Sequence, residues 1–336
     1  MNNVLMDGTG VYIPENIVYN EELERQFEKR GLTAKDRMDD LGRHKRYFIS
    51  EGENAITMSQ NAIDDCIHKN NFNIKEYEML VVCTDTPEYL SPSNAMRIVG
   101  LYGDEMKNIK VAFDLNSNCT GMIQGIDIVS KYMKASNIRK ALVVGTYCIS
   151  PIAVWSDTVV YGTFGDAAAC VSLSMVKEEE KRGILDNEVL VDAKYYGSVQ
   201  YPKCGMAKAP LNAIMPNEKR MDWNFYNLDM EDFIPQNVAE TIKKVLNRNA
   251  MEVDEIDYFV FSQLNDTCNK ETLKLLGVNA EDGKYDFIGK DYGYTGNTCP
   301  ILCMNKYWNK YTKPGKKVMI CTFGAGHSVI AQLYKF

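Results

Sequence analysis

The chain has 336 residues, 45% of them hydrophobic, and carries 45 acidic against 38 basic side chains for a net charge of −7. That length and apolar content suit two ordinary domains, or one α/β unit built from two similar halves. The acidic balance, with no basic block longer than Lys243-Lys244 or Lys316-Lys317, argues against a nucleic-acid partner.

No apolar run approaches the roughly twenty residues of a membrane span, and the polar Asn2, Asn3 and Asp7 are unlike a secretory leader. The expectation is a soluble, cytoplasmic protein. Ten cysteines without a regular framework suit reduced thiols. Cys299 and Cys303 are spaced so that they could share a metal, but with three histidines and no second cysteine pair no metal site is expected.

In chain order, residues 1 to 14 read as a strand and turn, and Asn20 reads as the cap of a short helix opening on Glu21 and Glu22. Residues 30 to 46 read as a charged loop. Ile56 to His68 is amphipathic at a 3.6 period, and Met79 to Cys83 is a continuous apolar run, as for a strand covered on both faces. A helix from about Asn94 follows the Thr86-Pro87 loop, and Ala141 to Thr146 is another buried strand.

The charged stretch 176 to 186 marks a boundary between halves, 1–176 and 177–336. Beyond it the pattern predicts a strand over 188 to 198, irregular chain over 200 to 227 and a helix over 233 to 249. The strand-then-polar-loop form of 79 to 86 returns at 257 to 262, and 140 to 146 is echoed at 317 to 324. That order of elements points to a duplicated α/β unit.

The stretch that carries chemistry runs from Val111 to Asp127. Strand-forming residues lead into a polar corner, after which Met122, Ile126, Val129 and Met133 repeat at helical spacing. Cys119 sits at that corner among Ser117, Asn118, Thr120 and Gly121, where a helix's first amides and dipole would favour thiolate over thiol. The competing explanation is that most free cysteines are simply small buried apolar residues.

The segment Ser117-Asn-Cys-Thr-Gly121 resembles the nucleophile turn of the thiolase superfamily. Thr86-Pro-Glu-Tyr-Leu-Ser-Pro-Ser93, Tyr294-Thr-Gly-Asn-Thr-Cys299 and the tail Thr322-Phe-Gly-Ala-Gly-His327 narrow the resemblance to ketoacyl-acyl-carrier-protein synthase III. It runs from Gly8-Thr-Gly-Val-Tyr-Ile-Pro14 to the last residue. It implies an αβαβα layered fold of two pseudo-duplicated halves and an acyltransferase that needs no cofactor.

By this resemblance Cys119 carries the acyl group, and the backbone amides of Cys119 and Ala325, next to Gly324, form the oxyanion hole. Asn297 is the asparagine donor of the condensing step. The family's His-Gln-Ala-Asn motif appears here as Ser262-Gln263-Leu264-Asn265, so a serine replaces the histidine, with Gln263 and Asn265 expected at the substrate. Serine donates one hydrogen bond but holds no proton at neutral pH. His327, beside the Gly-Ala-Gly turn, is the histidine that could stand in, unless it merely packs on the final strand.

Ser91 stands where the family carries a bulky aromatic reaching across the dimer, which implies room for a larger acyl group. The tryptophan and arginine that clamp the adenine of coenzyme A are replaced by Asp36-Arg-Met-Asp-Asp40. The expected donor is therefore an acyl-carrier-protein thioester ahead of coenzyme A, and the expected assembly a homodimer, with a heterodimer as the alternative. Three functions follow: condensation with a malonyl-type acceptor, acyl transfer to an oxygen, nitrogen or sulfur acceptor, or a non-catalytic partner subunit.

Overall fold

The computed structural model describes residues 1–193, 196–197, 199–202, 205–207 and 230–336. Eleven strands are found among them. They are β1 (Asn2–Tyr12), β2 (Asn16–Tyr19), β3 (Lys45–Phe48), β4 (Met79–Cys83), β5 (Val111–Leu115), β6 (Lys140–Tyr147), β7 (Ala167–Lys177), β8 (Gly183–Val191), β9 (Tyr258–Phe261), β10 (Lys317–Gly324) and β11 (Ser328–Lys335). One sheet has the order β1-β7-β6-β4-β5 and a second β8-β11-β10-β9, with β2 and β3 as a separate hairpin.

Period-two alternation explains how these strands are covered on both faces. On one face of the first sheet Met79, Val81, Cys83, Val143 and Val171 pack on the helices Gly121–Ala135 and Cys299–Lys306. On the other, Leu80, Val82, Leu142 and Val144 pack under the helices Ala55–Lys69 and Asn94–Tyr102.

The second sheet repeats the device. Val260, Val318, Ile320 and Ile330 face the same two central helices, while Phe259, Phe261, Met319 and Cys321 face the helices Met230–Arg248 and Asp266–Leu275. Helices, sheet, helices, sheet, helices make the five layers the sequence resemblance implies. The chain crosses from the first sheet to the second between Lys177 and Gly183. Tyr285 makes an isolated parallel bridge to Phe259, at the edge where β5 stands in the first half.

Some local expectations change. Asn20 is the first residue of the helix Asn20–Glu28 rather than its cap. Its side chain donates to the Arg43 carbonyl and accepts from Arg46, tying down the next segment. The supposed charged loop contains the helix Lys35–Asp40 and the start of β3, and it buries Arg43 and Arg46. The strand expected over 188 to 198 begins earlier, at Gly183, and ends at Val191. Most of the irregular stretch 200 to 227 lies outside the described residues. No helix among the described residues is long and apolar enough to cross a membrane.

Gly10 lets the helix Ala55–Lys69 lie directly on β1, since a methyl group there would come within 2.1 Å of the Cys66 amide nitrogen. The Ala62 carbonyl would lie within 2.4 Å as well, and since both neighbours are backbone the two elements must part. Gly10→Ala is expected to lower stability by about 3 kcal/mol, read as a drop in the urea midpoint; an unchanged midpoint would contradict this packing.

Candidate active site

Cys119 follows the end of β5, in a 3₁₀ turn Asn118–Thr120 that feeds the helix Gly121–Ala135. Asn118 bends the chain with a φ of 47°, a left-handed conformation that asparagine tolerates, and its amide donates to the Asn116 side chain at 3.0 Å. The Ser117 hydroxyl meets Thr120 at 2.9 Å and Gln124 at 2.5 Å, which locks the corner to the helix.

The second half closes over this corner from β10. The Asn118 side chain donates to the Ala325 carbonyl at 3.3 Å. Any side chain on Gly324 would come within 3.3 Å of the Cys119 amide nitrogen, so a glycine keeps the two backbones close. The Cys119 sulfur consequently receives the backbone amides of both Ala325 and Cys119 and lies beside the Tyr294 hydroxyl.

The charge state differs from the sequence expectation. Cys119 is 8% exposed, in a chamber with Tyr147, Ile149, Val160, Phe164, Tyr294 and Cys299. Burial pushes its thiol up to about 12, the Asp85 charge pushes the same way, and the two amides and the phenol oppose them without winning. The helix end does not make a resting thiolate here, because desolvating the sulfur outweighs the local dipole.

Asn297 reaches the site from the turn Gly296–Thr298, ahead of the helix Cys299–Lys306. It is buried, and neither its amide nitrogen nor its oxygen has a hydrogen-bond partner. Ser262, just past β9, is likewise buried with an unpartnered hydroxyl. Buried polar groups are nearly always paired, so these two donors lie idle in the absence of substrate.

Gln263 and Asn265, which the motif places at the substrate, are instead committed to the fold. The Gln263 amide group donates to the Phe261 carbonyl at 2.9 Å and accepts from the Ile288 amide at 2.7 Å. Asn265 caps the helix Asp266–Leu275 by accepting from the Cys268 amide at 3.1 Å. His327 occupies a left-handed turn position with its ring 4.1 Å from that of Phe233, on the outer helix Met230–Arg248. Ser91 is exposed, next to the exposed Tyr89 and Leu90. Cys299 accepts from the Gln263 amide, and no group of three or more potential metal ligands occurs among the described residues.

Sequence reasoning passed over four residues. Arg43 is buried and donates to the carbonyls of Gln263 at 3.2 Å and Leu264 at 2.5 Å, fixing the strand end that carries Ser262. Burial and the neighbouring Arg46 lower its guanidinium to about 9, so it remains charged at neutral pH. Tyr147 presents a buried hydroxyl without a hydrogen bond, and Tyr294 turns its buried hydroxyl to the Cys119 sulfur. Asp85, two residues beyond β4, has a buried unpartnered oxygen, and burial raises its carboxyl to about 6. Two of them left a sequence signal, Asp85 as a charge between the apolar run and Pro87 and Tyr294 as the first residue of the Tyr294–Cys299 segment.

A cysteine whose sulfur meets paired amides where two similar α/β halves join is the apparatus of thiolase-type acyl transfer. Residues 113–193 match the family 3-oxoacyl-[acyl-carrier-protein (ACP)] synthase III, and residues 246–336 match its C-terminal counterpart. The β-ketoacyl-[acyl-carrier-protein] synthase III of Clostridium novyi is 26% identical over 340 residues, covering 100% of both chains. That of Clostridium acetobutylicum is 28% identical, over 97% of this chain and 96% of its own. The synthase III structure from Thermus thermophilus superposes with a TM-score of 0.85 at 19% identity, over 98% of each chain. The chain belongs to the 3-oxoacyl-[acyl-carrier-protein] synthase III family of the thiolase superfamily.

Because the resting sulfur is a thiol, its alkylation by iodoacetamide is expected to rise about tenfold per pH unit from pH 7 to 10, tracking the thiolate fraction. Peptide-resolved mass spectrometry at Cys119 follows this directly. A plateau already reached by pH 8 would show a pre-ionised nucleophile.

Proposed function

We propose that the protein is a 3-oxoacyl-ACP synthase III-like acyltransferase that loads an acyl group onto Cys119 and condenses it with an ACP-bound, malonyl-type acceptor, in fatty-acid or specialised polyketide-like synthesis. The observation that carries this reading is the pair of amides, Cys119 and Ala325, converging on the sulfur; the buried unpartnered groups of Asn297 and Ser262 support it.

In the first half-reaction the Cys119 sulfur attacks the thioester carbonyl. A sulfur–carbon bond forms, the donor's carbon–sulfur bond breaks, and the thiol proton leaves with the departing thiol. The two amides receive the charge on the carbonyl oxygen during this exchange. In the second, the malonyl carboxylate leaves as CO2 and its electron pair passes to an enolate. Asn297 and Ser262 donate to the enolate oxygen while its carbon attacks the Cys119 thioester and expels the sulfur, which is reprotonated. A hydroxyl replaces the family's imidazole here, and losing one of two such donors outright costs on the order of 3 kcal/mol.

The single-chain structure also supports assembly with a second copy. Among the described residues strand β5 pairs only with β4, which leaves its other edge open, and Leu90, Met96 and Leu101 are exposed nearby. An open edge and an apolar patch are covered together when two copies pair β5 with β5 about a twofold axis. The exposure of Ser91 supports a reading in which the segment expected to set acyl size lies against the partner.

Cys119→Ala is expected to form no acyl adduct by intact-protein mass spectrometry. Asn297→Ala is expected to load normally but release CO2 from malonyl-ACP on the order of a hundredfold more slowly. A wild-type protein that loads Cys119 and releases no CO2 would favour transfer to an oxygen, nitrogen or sulfur acceptor. For the assembly, Leu90→Asp with Met96→Asp is expected to halve the mass measured by light scattering; an unchanged mass would exclude this face.

A further inference from the structure

Strands β4, β5 and β6 run parallel and end side by side, with Cys83 in register with both Leu115 and Gly145. Ligands of α/β sheets gather at such carboxyl ends. Tyr147 lies two residues on from this rung in β6 and shares the face of Cys83 and Gly145, while Asp85 stands in the bend two residues past Cys83. That face is the catalytic one. A side chain on Gly125 of the central helix would come within 2.6 Å of the Cys83 sulfur, and one on Gly145 within 2.7 Å of the Asn297 oxygen.

Asp85 therefore stands beside the acyl-carrying sulfur, and its charge acts on the Cys119 thiol, the Tyr147 hydroxyl and the Tyr201 hydroxyl. Its Oδ1 is sealed from solvent without a hydrogen-bond donor, and no cation among the described residues pairs with it. The side chain is half-buried and its carboxylate takes its own backbone amide, so the cost is confined to the sealed oxygen, which a donor would satisfy. At neutral pH the group is mostly ionised, having been raised only to about 6.

We infer that Asp85 is a specificity-determining residue that receives an ammonium group carried on the acyl chain of the donor, so that the preferred donors are aminoacyl-type thioesters rather than plain alkyl ones. This inference rests on the reading of Cys119 as the acyl carrier. A cation selected in this way satisfies the orphaned oxygen, and an alkyl chain in the same place leaves it unpaired. Sites built to bond a polar substituent discriminate strongly against analogues lacking it.

The test uses the purified full-length protein and pantetheine thioesters in isosteric pairs: β-alanyl against butyryl, and 6-aminohexanoyl against heptanoyl. Rates of Cys119 acylation at pH 7.5 are read by intact-protein mass spectrometry. In at least one pair the amino compound is expected to load tenfold or more faster. Asp85→Asn is expected to bring that ratio close to one while still loading the alkyl partner, and Asp85→Glu to keep a preference.

Alkyl thioesters that load the wild type as fast as their amino partners would overturn the inference, as would a preference surviving in Asp85→Asn. Equal loss of both partners in Asp85→Asn, with Asp85→Glu restoring both, would make Asp85 a base for Cys119 and overturn it too. Adducts on Cys119 without any preference leave the acyl-transfer reading standing. No adduct from any of the four thioesters would end that reading, and the inference with it.

Discussion

The close approach of two backbones, the Cys119 elbow of one half and the Gly324-Ala325 turn of the other, is the constraint on which the site depends. Each half alone supplies one amide, and only their contact aims two at the same sulfur. Gly324 makes the contact possible by leaving 3.3 Å to the Cys119 amide where a side chain would stand, and the Asn118 side chain secures it at the Ala325 carbonyl. The central helices share one apolar cluster with both sheets, so the halves cannot shift without disturbing that packing.

The same burial that holds the halves together sets the chemistry of the sulfur. A thiol raised to about 12 is a poor nucleophile at rest, yet it resists oxidation and stray alkylation. On the proposed reading a bound thioester changes the balance, because the amides that partly stabilise the sulfur anion then face the substrate oxygen, where charge develops during attack. Stabilisation is thereby kept for the transition state instead of being spent on a resting thiolate. The cluster of unpartnered hydroxyl and amide groups fits this view, since fixed donors need no reorganisation when charge appears.

Much of the architecture was legible because it rests on local periodicity. Met79 to Cys83 reads as a doubly covered strand and is one, with alternate residues in two different cores. The Cys119 corner was equally plain, as strand, polar bend and helix follow within seventeen residues. What the sequence hid depends on distant partners. Arg43 and Arg46 stand in a basic run that reads as surface, and become core residues only because carbonyls of Gln263, Leu264 and Gly162 accept from them. Gln263 and Asn265 match a substrate-binding motif, but their amide groups answer to neighbouring backbone. The state of the sulfur was misjudged for a related reason: a helix dipole is visible in local sequence, whereas desolvation is the sum of everything packed around it.

On the proposed reading Ser262 stands where the sequence resemblance expects a histidine, which bears on how much of the site has to change for the chemistry to survive. Enolate formation by decarboxylation releases CO2 and consumes no proton, so what the second half must provide is a donor to the enolate oxygen rather than a base. A serine hydroxyl meets that requirement if it is held in place, and Arg43 holds its strand end through two carbonyls while Asn269 donates to the Ser262 carbonyl at 2.8 Å. Position can thus compensate in part for a weaker donor. A neutral hydroxyl also adds no positive charge to a site where the Asp85 carboxylate already acts on the Cys119 thiol.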